Sequence, residues 1–239
     1  MNQEFNMKKL AALLLGTVIG IAFTASDAFA DKASDAVKNY WNSNDGRTGG
    51  YLGLSYHKGN ISDVEANYLR KGADATWALD NGKGAQSQFG FDFGKIRFDW
   101  RLGGLYSTVE SIDGTANDPA ASDEAVIAYS TLNVGLDLYR FEVVKQSFVN
   151  IAITPYVGAG YGYGGGWMTG KKVNNANIAE PAGHGKAHSY EAGILVNLTD
   201  WAGITLGYNY LSIDLEGHST STSEEINSHL GSVGVRFTY

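Results

Sequence analysis

The stretch Ser232-Val233-Gly234-Val235-Arg236-Phe237-Thr238-Tyr239 alternates strictly: Val233, Val235, Phe237 and Tyr239 fall on one side, with Gly234, Arg236 and Thr238 between them. A period of two is the signature of a β-strand with two unlike faces. In a soluble sheet the apolar side would enter a core. In a transmembrane barrel it would meet lipid, while Arg236 would point into the lumen. The rest of the chain has to decide between these.

At the other end, Lys8 and Lys9 precede an apolar run from Leu10 to Phe23, followed by Ala28-Phe29-Ala30. A basic start, a short apolar stretch and a small-residue cleavage motif predict a secretory signal peptide over 1–30. The apolar run falls short of the ~20 residues that a spanning helix requires. With no cysteine, the exported chain has neither disulfides nor cysteine-ligated metal to hold it together. A net charge of -7 disfavours nucleic acid as a partner. Thirty-one glycines, 14 tyrosines and only three prolines suit many strands and tight turns.

Residues 31–49 read as a periplasmic N-terminal extension, and 50–239 as one domain built from eight alternating segments. The first is marked by Leu52, Leu54 and Tyr56. Phe89, Phe91 and Phe93 meet Ile96, Phe98, Trp100 and Leu102 across a Gly94-Lys95 turn, as a hairpin with one aromatic and one charged face. Val126 to Leu138, Val149 to Tyr163, Tyr190 to Leu198 and Ile204 to Tyr210 follow, with Thr199-Asp200-Trp201 turning between the last two. Pro155 cannot donate to a ladder, which places it near a strand start or a bulge. Four connections are long and polar: Lys58 to Gln86, Glu110 to Glu124, Gly164 to Ala187, and Asp214 to Ile226. The connections between them are shorter. Such a rhythm fits an up-and-down barrel with periplasmic turns and extracellular loops. A lipocalin-like soluble barrel would need an apolar interior, and the inward set here carries too many charges for a greasy cavity.

The stretches Thr154-Pro155-Tyr156-Val157-Gly158-Ala159-Gly160 and Leu206-Gly207-Tyr208-Asn209-Tyr210-Leu211, together with the aromatic-ended last strand, carry a resemblance to a family. Over Gly50 to Tyr239 the chain resembles eight-stranded outer-membrane β-barrels of the opacity-protein and OmpA-like superfamily. The resemblance implies an all-β antiparallel transmembrane barrel in the bacterial outer membrane. It also implies that the barrel-assembly machinery recognises Val233, Val235, Phe237 and Tyr239. The family's signal usually ends in Phe with a polar residue before the glycine, so Tyr239 and Val233 depart from it. With nothing after Tyr239, a periplasmic peptidoglycan anchor is not expected.

If the apolar positions face lipid, Asp92, Arg97, Asp99, Arg101, Asp137, Glu191 and Arg236 converge inside, with Tyr129, Tyr156 and Asn209. Eight strands leave room for side chains rather than an open pore, so mutual ion pairs are expected. Two readings follow: a closed scaffold displaying loops for envelope integrity or host-surface contact, or a small channel for ions or solutes. Tyr51 and Trp201 near the turns, and Tyr56, Tyr163, Trp167 and Tyr210 near the outer ends, would form interfacial girdles, with plain cross-strand packing as the other reading. Expected partners are outer-membrane lipid, lipopolysaccharide, the assembly machinery and host or cell-surface molecules.

No cofactor, metal site or catalytic set is expected. Barrel deacylases use a His-x-Ser pair, and His188-Ser189 and His218-Ser219 have the wrong spacing. The Gly160-Tyr161-Gly162-Tyr163-Gly164-Gly165 run matches a dinucleotide string, but the glycines alternate along a strand with no helix after them.

Overall fold

The computed structural model describes residues 47–68, 73–112, 115–116, 124–145, 150–170, 178–216 and 224–239. The signal-peptide segment, most of the N-terminal extension, His218 and the acids Asp113, Asp118 and Asp123 lie outside them. In chain order the strands are β1 (Arg47–Ile61), β2 (Val64–Tyr68), β3 (Ala73–Leu79), β4 (Gly82–Gly94), β5 (Ile96–Ile112), β6 (Thr115–Ala116), β7 (Glu124–Asp137), β8 (Phe141–Lys145), β9 (Asn150–Gly170), β10 (Ile178–Asn197), β11 (Ala202–Glu216) and β12 (Glu224–Thr238).

Eight of these close a ring in which every neighbour is antiparallel: β1, β4, β5, β7, β9, β10, β11 and β12, which returns to β1. The final strand closes on the first, with Leu52 opposite Phe237 and Leu54 opposite Val235. Stepping across paired positions from Tyr51 passes Gly90, Asp99, Asn133, Gly160, Ser189, Leu211 and Ser228, then arrives at Ile61 rather than Tyr51. This stagger is what closure demands of tilted strands, roughly 35–45° from the barrel axis.

The turn end of the barrel is built locally. Phe93 and Ile96 pair around Gly94 and Lys95, and Gly94 takes φ 82, which suits a two-residue primed turn. At the β10–β11 turn, the Thr199 hydroxyl accepts from the amides of Trp201 and Ala202, at 3.3 and 2.9 Å. Between β7 and β9, the short connection contains β8, which pairs with the start of β9. Pro155 sits where β9 passes from β8 to β7. Its carbonyl accepts from Leu138 at 2.9 Å, and its missing N–H falls where the partner ladder is interrupted.

The long connections are shorter than the sequence suggested, because the strands run on into them. β1 reaches Ile61, β9 reaches Gly170, and β12 begins at Glu224. The β2–β3 hairpin prolongs β1 and β4 after a slip: Leu79 pairs with Val109, whereas the next stretch pairs Lys83 with Tyr106. The junctions are stitched to neighbouring strands. The Ser62 amide donates to the Asn227 carbonyl at 2.7 Å, and the Ser107 hydroxyl donates to the Asp80 carbonyl, also at 2.7 Å.

Along the same strands the two faces exchange character. Near the turn end the outward positions are apolar: Leu54, Phe91, Phe93, Trp100, Leu132 and Val235 all face the surroundings, Leu132 at 70% exposure. Trp100 satisfies its N–H on that surface through Ser130, at 2.8 Å. The inward positions at this level are polar or charged. Toward the other end β11 reads Leu211-Ser212-Ile213-Asp214-Leu215, with Leu211, Ile213 and Leu215 buried. They join Ile61, Leu79, Leu105, Val109, Ile127, Ile226 and Leu230 in one apolar cluster inside the wall. Each such side chain contributes about 1.5–3 kcal/mol through burial. The barrel is thus lipid-compatible outside and charged inside in one half, and water-compatible outside and apolar inside in the other. The charged-interior expectation holds for one half only.

Candidate functional site

The interior of the turn half is organised by β5. Arg97, Asp99 and Arg101 alternate with outward-facing Phe98 and Trp100, so all three project into the lumen. Arg101 is the hub. Its Nε donates to Asp99, and its Nη2 donates to Glu191 Oε1 on β10 at 2.5 Å and to Asp99 Oδ2 at 3.2 Å. Arg97 approaches the same Glu191 oxygen at 3.7 Å and Asp137 of β7 at 3.5 Å. Over β1, Arg236 of β12 pairs with Asp92 of β4. Two tyrosines complete the assembly. The Arg236 guanidinium lies 3.6 Å from the Tyr51 ring centroid, and that of Arg97 lies 4.3 Å from Tyr156. The Tyr51 hydroxyl donates to Asp99 Oδ2 at 2.8 Å.

All seven charged residues expected inside therefore line the lumen, on five different strands. Tyr129 and Tyr156 are buried with them, and Asn209 lies on the same face, opposite Glu191. Tyr51 is a correction. It was expected in an interfacial girdle but is 1% exposed and belongs to the network. The cause is parity: Leu52, Leu54 and Tyr56 point outward, so the odd-numbered positions of β1 must point in. Tyr56, Tyr163, Trp167 and Trp201 are exposed, and Tyr210 is half-buried.

Above the ion pairs lies a neutral polar layer. Ser189 donates to Asn133 Oδ1 at 2.7 Å, Asn133 donates to the Thr131 hydroxyl at 3.0 Å, and the Tyr129 hydroxyl donates to Gln86 at 3.0 Å. His57, fully buried, meets the Ser55 hydroxyl at 2.9 Å. Several buried polar atoms make no hydrogen bond within the protein, among them Arg236 Nε and Nη1 and Asp92 Oδ1. The apolar cluster then fills the far half.

Glycines make the space. A Cβ at Gly158 would come 2.6 Å from Glu191 Oε1, and one at Gly103 would run into the Tyr129 ring. Gly103→Val is expected to cost about 1–3 kcal/mol through overpacking, read as a lower urea midpoint for the refolded barrel. An unchanged midpoint would show that Tyr129 has room to move.

The histidines do not gather. His57 faces inward, His188 meets Asp214 at 3.7 Å on the outer surface, and His229 packs against Tyr208 and Tyr210. Among the described residues no group of three acidic or imidazole side chains could hold a metal.

An apolar outer wall around a charged, ion-paired interior, closed without a free edge, is what a bilayer selects. The fold is a closed eight-stranded antiparallel barrel. The chain is similar in structure to the outer membrane protein OprG from Pseudomonas aeruginosa, at 12% identity and TM-score 0.49, covering 82% of this chain and 99% of that one. It is also similar to Neisserial surface protein A, at 14% identity and TM-score 0.46, covering 80% and 97%. A third likeness is to Ail, the attachment invasion locus protein of Yersinia pestis, at 14% identity and TM-score 0.37, covering 80% and 100%. No protein-family model matches the chain, and no curated protein matches it.

Proposed function

We propose that this barrel sits in the bacterial outer membrane as a closed surface scaffold. It would hold its extracellular connections on a rigid wall for contact with other surfaces or for envelope integrity. The observation that carries this reading is the double closure of the lumen, first by buried ion pairs and then by the apolar cluster around Ile213 and Leu230. On this reading, water and ions that enter among the charged side chains from the periplasmic side would meet the apolar cluster before the extracellular end. The same cluster gives the wall above the membrane a core of its own, and the connections 113–123, 171–177 and 217–223 depart from that wall. On this reading β12 carries the assembly signal in Val233, Val235, Phe237 and Tyr239.

The alternative, a small channel, draws on the charged lower half and requires the apolar cluster to part. Planar-bilayer recording separates the two. The scaffold predicts no unitary conductance from wild-type protein whose folding is verified by heat-modifiable gel mobility. Regular single-channel steps would replace it with the channel reading. For the contact role, replacing the 171–177 and 217–223 connections by short turns should abolish cell-surface binding while leaving the folded mobility unchanged. Binding that survives both replacements would place the contact elsewhere.

A further inference from the structure

The apolar outer band is not equally tall around the ring. On β1 the outward run is Leu52, Leu54 and Tyr56, and Lys58 ends it; on β4 Lys83 ends it, and on β10 His188 follows Tyr190. On β9 the outward positions from Ile151 to Trp167 carry no charged side chain, and neither do those of β7 from Val126 to Leu138. Ser130 within this face already accepts from the Trp100 N–H. Paired rows climb from β1 toward β9, so the row Lys83, Tyr106, Val126, Trp167 rises, and the exposed Val126 and Trp167 stand above the level of Lys58 and Lys83. The same face also runs on at the turn end. There β9 continues past Pro155 to pair with β8, below the β4–β5 turn, whose Lys95 carbonyl accepts from the Asp137 amide. Phe141 and Val143 of β8 are 52 and 59% exposed, while Glu142 stands opposite inward-facing Ala152. With strands tilted near 40° rising about 2.5 Å per residue along the axis, Ile151 to Trp167 spans about 40 Å, against about 25 Å for the apolar band of an outer-membrane barrel.

We propose that the β7–β8–β9 face binds a second copy of this chain, the two barrels standing upright side by side about a two-fold axis along the membrane normal. The inference rests on the outer-membrane reading above and goes beyond it by naming an interface and its occupant. Lipid alone does not cover this face, because the apolar surface overruns the bilayer at both ends, and stretching the bilayer to match costs free energy for every ångström of mismatch. Tilting the barrel would sink Val126 and Trp167 only by pushing Phe141 and Val143 farther into the periplasm. Exposed apolar surface of this kind marks a protein contact. A partner in the water on one side of the membrane reaches one overrun. An upright second copy presents the same two overruns at the same two heights, so a self-complementary contact covers both at once. The face suits such pairing, since a charge on it would meet its own like across the two-fold axis, and its outward positions on β7 and β9 carry none.

The test uses the mature chain refolded into phospholipid vesicles at high dilution in lipid. The chain has no cysteine, so single introduced thiols report contacts without background. Ala128→Cys, Leu132→Cys and Leu136→Cys step down β7, and on oxidation at least one of them should give a disulfide-linked dimer, which requires Cα atoms within about 7 Å of each other. Leu54→Cys and Val235→Cys, at the β1–β12 seam on the opposite side of the ring, should stay monomeric. Adding Val126→Lys and Val143→Lys to the β7 cysteine variant, one charge at each overrun, should lower the dimer yield about tenfold or more, because each charge would be buried in an apolar contact. Folded gel mobility should be kept, and the pair Val126→Ile and Val143→Ile should leave the yield near its original value. No dimer from any β7 position, equal yields from β7 and the seam, or a yield indifferent to the lysines would overturn the interface. In the outer membranes of producing cells, β7 cysteines linked to a different protein would overturn the second copy as its occupant. Failure of wild type to show folded mobility in any vesicle would overturn the membrane-barrel reading itself.

Discussion

Replacing Arg101 with methionine is expected to destabilise the barrel more than any other single change in the lumen. Arg101 neutralises two acids at once, Asp99 on its own strand and Glu191 on β10, and its side chain is almost wholly buried. Its loss leaves Asp99 with only the Tyr51 hydroxyl and Glu191 with only Arg97 at 3.7 Å, and breaking a buried pair in this way costs about 3–5 kcal/mol. Glu191 offers the contrast. Without it, Arg97 keeps Asp137, Arg101 keeps Asp99 and Arg236 keeps Asp92, so three acids face three arginines. Glu191→Gln should therefore cost clearly less than Arg101→Met, about 1–2 kcal/mol for weakened hydrogen bonding. Urea unfolding in phospholipid vesicles, followed by tryptophan fluorescence, measures both. If Glu191→Gln costs as much as Arg101→Met, the network is not organised around Arg101.

Placing a carboxylate at Ile213 is the second large perturbation, and its effect should be confined to one half of the molecule. Ile213 is fully buried in the apolar cluster, with Leu211 and Leu215 beside it on β11 and Ile226 directly opposite on β12. An aspartate there has no partner among these side chains, and the penalty is several kcal/mol unless water enters. The membrane half keeps its own outer wall and ion pairs. Ile213→Asp should thus leave folded gel mobility in place while protease added from outside cuts the extracellular half at least tenfold faster than in wild type. The neighbouring change Asp214→Asn, on the water-facing side, should leave the cutting rate within about twofold, as expected for a surface substitution. Loss of folded mobility in Ile213→Asp would mean that the two halves fold as one cooperative unit.

These two sites also separate what the sequence made legible from what it hid. The membrane half was readable because Phe89 to Phe93, Ile96 to Leu102 and Val233 to Tyr239 carry large apolar side chains at every second position, with charges between them. Lipid outside and ion pairs inside both reinforce that alternation. Beyond the belt the alternation persists with the faces exchanged, as in Ser212-Ile213-Asp214-Leu215. There the outward residues are polar and the inward ones modest in size, and mixed with glycine the pattern reads as loop. Tyr51 was misplaced for a different reason. Its side chain suits an interface, but its parity on β1 commits it to the lumen, and facing overrides residue type. The pairing of Arg236 with Asp92 and the stacking of Arg236 on Tyr51 depend on which strands become neighbours on closure, and no local pattern encodes that.

The collar formed by the β2–β3 hairpin and the prolonged ends of β9 to β12 gives the chain latitude to drift. Insertions and substitutions in the segments that leave this collar alter no lipid contact, no lumen pair and no position of the closing β1–β12 seam. On the surface-scaffold proposal, variation there is thereby uncoupled from closure of the barrel: a lineage can reshape what it shows its surroundings while the wall stays the same.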